Sequence, residues 1–176
     1  MRIFIRSKDA HGRHDGTPLV ETVSMSAEDW RLFAYPHEAR QIDAADLKGW
    51  LRKIYPDSKR GVTSVESLEQ ISGRLRFEPA DTDGRRRYAI LRGELRFRAA
   101  PYSFPSMGRN PDHIRRARRT STTFSFTGIF EAVLTYTAEA PDAPSLRAVL
   151  EGTYPLRDRG RTYRLSLLDA IESRPR

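Results

Sequence analysis

The sequence predicts an α+β fold: a curved antiparallel β-meander, a half-barrel or small barrel, with two short N-terminal helices. Three observations predict it. From about residue 66 onward, apolar residues recur with a period of two. Before residue 56, two segments carry helix start signals followed by an apolar face at helical spacing. Four of the period-two segments also hold a glycine near their middle.

In chain order, Ile3, Phe4 and Ile5 read as a short strand, residues 7–17 as a polar loop, and residues 19–23 as a second strand. Ser26 can cap a first helix, with Asp29 three residues on, and Met25 and Trp30 stand at the positions of a hydrophobic staple. Tyr35-Pro36 ends that helix. Asp43 is expected to cap a second helix, with Ile42 and Leu47 as its staple. Leu47, Trp50, Leu51 and Ile54 follow the i, i+3, i+4, i+7 spacing of one buried face. Lys48, Arg52 and Lys53 complement the dipole at its C-terminal end.

The meander begins with Ile71, Gly73, Leu75 and Phe77 on one face, then Ala89, Leu91, Gly93, Leu95 and Phe97. Between them, Gly84 suits the left-handed last place of a three-residue hairpin loop over 82–84. That loop pairs Asp81 with Arg85 and sets Gly73 opposite Gly93. Phe124, Phe126, Gly128, Phe130, Ala132, Leu134 and Tyr136 share the parity of a third strand. Leu146, Ala148, Leu150, Gly152 and Tyr154 share that of a fourth, after a turn over 139–144. An even register sets Gly128 near Gly152. Glycine weakens a strand, so one per strand implies a purpose: letting the sheet coil sharply. A last strand covers 163–168, after a turn over 157–160.

Residues 1–176 are read as one domain, with 99–122 as a basic loop inserted in the sheet. The chain has no cysteine, which excludes disulfides, thiolate catalysis and cysteine zinc sites. No apolar run reaches the ~18–20 residues of a membrane span. The N-terminus turns polar before it reaches the length of a secretory leader, which favours a cytoplasmic location.

The net charge of +8 comes almost wholly from arginine, because Lys8, Lys48, Lys53 and Lys59 are the only lysines. The surplus sits in 85–98 and 109–119. Asn110-Pro111 is a helix-start signal, and the segment after it carries His113, Arg115, Arg116, Arg118 and Arg119.

Two functional readings follow. The first is a non-catalytic binding or interaction module whose curved sheet forms a groove over the glycines. The alternative is a nucleic-acid or other polyanion binder, using Arg109, Arg115, Arg116, Arg118 and Arg119 against phosphates, with Tyr102, Phe104 and His113 beside them for stacking. The polar hairpin face of Arg74, Arg76, Arg92 and Arg96 is the fallback surface for that alternative. Catalysis has no motif: there is no nucleophile elbow and no phosphate-binding glycine loop. His11-x-x-His14 lacks further ligands at a metal-site spacing, so no metal or cofactor is expected. An enzyme whose site carries no recognisable motif is the remaining alternative.

Overall fold

The computed structural model describes residues 1–8, 19–55, 68–102, 122–138, 140–158 and 161–173. Alternation of apolar and polar residues produces β1 (Arg2–Lys8), β2 (Leu19–Thr22), β3 (Arg40–Asp43), β4 (Leu68–Asp83), β5 (Arg86–Tyr102), β6 (Thr122–Thr137), β7 (Ala140–Asp158) and β8 (Arg161–Ser173). The helices are α1 (Ala27–Arg31) and α2 (Lys48–Lys53). All strands join one 8-stranded antiparallel sheet in the order β2-β1-β8-β7-β6-β5-β4-β3. The sheet is curved and open rather than closed into a barrel. Its two edge strands are only 4 residues long. No helix among the described residues is long and apolar enough to cross a membrane.

The path of the chain explains why one face is covered. After β2, on one edge, the chain crosses the sheet through α1 to reach β3 on the other edge. It then folds back through α2 into the meander. Ser26 caps α1 as expected: its Oγ accepts from Asp29 N at 3.2 Å, and Asp29 Oδ2 accepts from Ser26 N at 2.7 Å. Asp43, by contrast, does not cap α2. Residues 40–43 pair with β4, so the helix starts a turn later, and Asp43 Oδ1 instead accepts from Ala45 N at 2.9 Å. Leu47, Trp50, Leu51 and Ile54 are all buried, as their spacing predicts.

The core lies between this crossing and the sheet. The Trp50 ring meets Phe33 at 5.1 Å and Phe130 at 5.9 Å, both edge-on, and Tyr55 stacks on Phe97 at 5.4 Å. Buried Tyr136 donates its hydroxyl to the Phe33 carbonyl at 2.7 Å, fastening β6 to the end of α1, and burial pushes its phenol pKa up.

The β4–β5 register corrects the expected glycine pairing. The loop has two residues, with Asp83 opposite Arg86 and Gly84 at φ 55. Carried inward, that register would set the apolar residues of β4 against the polar residues of β5. A bulge between Pro79 and Thr82 absorbs one residue and restores the parity. Gly73 therefore faces Leu95, and Gly93 faces Leu75, one pair away from the expected match. The apolar face is kept, and each glycine receives a leucine. Gly73 itself has φ 135, a conformation side chains resist. Gly128 does pair with Gly152. The turn before β7 is also tighter than the expected 139–144, because Thr137 already pairs with Ala140.

Candidate functional site

The glycines do not form the floor of an open groove. A Cβ on Gly152 would lie 2.5 Å from Phe126 Cζ, and one on Gly128 would lie 2.8 Å from Phe126 Cε1. The ring of Phe126 fills the space that the two glycines leave. At all four glycines the neighbouring strand's backbone also approaches, through the carbonyls of Glu94 at Gly73, Arg74 at Gly93, Glu151 at Gly128 and Thr127 at Gly152. The glycines thus serve close strand approach and aromatic packing on the helix-covered face.

Of the residues predicted for polyanion binding, Tyr102 lies in β5, opposite Thr122. Phe104, Arg109, His113, Arg115, Arg116, Arg118 and Arg119 lie outside the described residues, as do His11 and His14. The hairpin arginines are described, and most are matched by carboxylates. Arg76 Nε lies 2.6 Å from Glu78, Arg92 lies 3.0 Å from the same carboxylate, and Arg96 lies 2.8 Å from Glu94. Arg98 lies 3.6 Å from Glu69. This face is a lattice of both signs rather than a basic stripe. Among the described residues, no three metal-ligating side chains converge.

The feature that stands out is on the same face, which α1 and α2 leave open. Strand alternation points Ile129 and Val133 of β6 and Val149 of β7 away from the core, and they are 52%, 47% and 42% exposed. Register sets the two valines on neighbouring strands: Val133 pairs with Ile90 on one side and Arg147 on the other, and Val149 pairs with Glu131 and Ala170. Ala170 in turn pairs with Phe4 of β1. Val133, Val149, Ile90, Ala170 and Phe4 together line an open depression of ≈ 580 Å³. A second depression of ≈ 670 Å³ adjoins it toward Tyr88 and Ser145, sharing Val133, Arg147 and Glu172.

The charges around the depression differ in their state. Arg92 is held by Glu78, and Arg2 is held by Glu172 at 3.0 Å. Glu131 and Arg147 have no ion-pair partner among the described residues. They flank Val133 and Val149 on opposite sides. Sequence reading attends to the buried parity of each strand and passes over this strip. Its signal is nonetheless present: apolar residues at 129, 133 and 149 occupy positions whose parity is otherwise polar. No family model matches the chain, and neither a curated protein nor a solved structure matches it.

Proposed function

We propose that the protein is a binding module that holds its partner on the open face of its sheet. The observation that carries this reading is the exposed Val133 and Val149, which with Ile90, Ala170 and Phe4 line the ≈ 580 Å³ depression. Scattered surface apolar residues are ordinary, but a contiguous patch rimmed by charges marks a contact surface. Covering it would gain roughly 25 cal/mol for each Å² of apolar surface withdrawn from water. The depression is broad and open, so it suits a partner's surface better than an enclosed small molecule. The site differs from the glycine groove expected from sequence, because that space is filled by the protein's own rings.

The test is binding of the uncharged dye Nile red, which reports apolar surface without responding to the +8 charge. Dye emission at low protein concentration should fall at least several-fold in Val133→Lys and Val149→Lys. Equal emission from wild type and both variants would overturn the reading. Tight oligonucleotide binding that weakens steeply between about 50 and 200 mM salt, and is lost when Arg115, Arg116, Arg118 and Arg119 are changed to alanine, would favour the polyanion reading instead.

A further inference from the structure

We infer that the partner on this face is a second copy of the same chain, docked sheet to sheet about a two-fold axis. The inference rests on the proposed binding surface and deepens it by naming the occupant.

Four residues at the centre of the face carry the argument. In the β6–β7 ladder, Glu131 pairs with Val149 and Val133 pairs with Arg147. The two valines therefore occupy one diagonal of a four-cornered patch, and the two opposite charges occupy the other. A face-to-face dimer has its two-fold axis in the plane of contact, and the same patch must complement itself. An axis along the valine diagonal sets each valine against its own copy. It also carries each remaining corner to within roughly 3 Å of the other's place at these spacings, so that Glu131 of each chain meets Arg147 of the other. One apolar centre and two reciprocal ion pairs follow from a single operation.

The geometry is one that sheets adopt. With strands ~4.8 Å apart and same-face residues ~6.8 Å apart, a strand makes roughly 35° with that diagonal. The strands of the two copies then cross at roughly 70°, closer to the orthogonal class of sheet packing than to the aligned one.

Charge also selects against other partners. A uniformly acidic surface would meet Glu131, and a uniformly basic one would meet Arg147. A second copy meets neither clash, and the flanking Arg92 and Arg2 are already held by carboxylates of their own chain. Glu131 and Arg147 are exposed strand residues without partners among those described, so both are available.

The experiment is sedimentation equilibrium of the full chain at about 150 mM salt, over a wide concentration range. Wild type is expected to dimerise. Glu131→Arg and Arg147→Glu should each weaken the dimer by at least about tenfold, because each turns two attractions into two repulsions. The double variant Glu131→Arg/Arg147→Glu should restore it, since the reversed pairs form again. Unchanged circular dichroism in all three variants shows that the fold is intact. A wild type that stays monomeric, single reversals without effect, or a double variant that fails to recover would each overturn the second copy as occupant. Nile red separates this failure from failure of the surface itself. Monomeric wild type that binds dye through Val133 and Val149 removes the second copy and leaves the surface, whereas monomeric wild type without dye binding removes both.

Discussion

On strand β6, Phe126, Phe130, Leu134 and Tyr136 are buried beneath or beside the helices, while Ile129 and Val133, which alternate with them, are about half exposed. The two faces of one strand thus hold apolar residues in opposite circumstances. The difference lies in what crosses them. The passage from β2 to β3, with α2 after it, covers one face and fills it with Phe33, Trp50 and Tyr55. Nothing among the described residues crosses the other. Apolar side chains on the covered face contribute to the stability of the single chain. Those on the open face leave their surface in water until something else covers it.

The largest expected effect belongs to the covered face. Gly152→Ala places a methyl 2.6 Å from Gly128 Cα as well as against the Phe126 ring, and backbone cannot move aside as a flexible side chain can. Overpacking of this kind costs about 1–3 kcal/mol. Urea unfolding monitored by circular dichroism should give that loss with an unchanged slope. A variant as stable as wild type would mean that the covered face is loosely packed, and the contrast between the faces would weaken.

Much of the covered face is legible in the sequence. Period two gives the parity of each strand, the i, i+3, i+4, i+7 spacing gives the buried side of α2, and Ser26 with Asp29 gives the start of α1. What escapes is whatever depends on a count of one residue. Gly84 supports a two-residue loop as readily as a three-residue one, and the bulge at Pro79 hides the difference by restoring parity. Asp43 carries a capping side chain in either a strand-ending turn or a helix start, and only pairing with β4 selects the first. The open-face site is harder for another reason. Which parity is covered depends on where the helices lie, and three apolar residues on an otherwise polar face acquire meaning only when the strands that carry them are set side by side.

A smaller effect tests how the cover is attached. Asp29 Oδ2 closes the α1 cap and lies 2.6 Å from Lys53 Nζ at the end of α2, so one carboxylate ties the two helices together. Burial acts to raise its pKa, but hydrogen bonds from Lys53 and Ser26 outweigh that and hold it below the usual carboxylate range. A group depressed in the folded state stabilises above its unfolded pKa of ~3.9, and that contribution is lost as pH falls through the folded value. Asp29→Ala should therefore cost about 1 kcal/mol at neutral pH. The gap between variant and wild type should narrow below about pH 4, as protonation removes the same interaction from the wild type. A gap that persists undiminished in acid would assign the loss to packing rather than to the carboxylate.

The smallest effect is expected from Val149→Thr, and its size is the sharpest test of the comparison. The substitution keeps the β-branched shape and strand preference and replaces one methyl by a hydroxyl. On a face open to water that hydroxyl is solvated, so at dilutions where the chain is monomeric the stability should change by no more than about 0.5 kcal/mol. At concentrations where two copies associate, the same hydroxyl must leave water without a partner, and the difference between variant and wild type should grow with concentration, because association stabilises by mass action. A cost that is large and independent of concentration would show that Val149 is packed within its own chain. A cost near zero in dilute solution would mean that single-chain folding has little need of a valine there. An exposed apolar strip across neighbouring strands carries an aggregation hazard, and a surface that adds nothing to the monomer offsets that hazard only through the contact it makes.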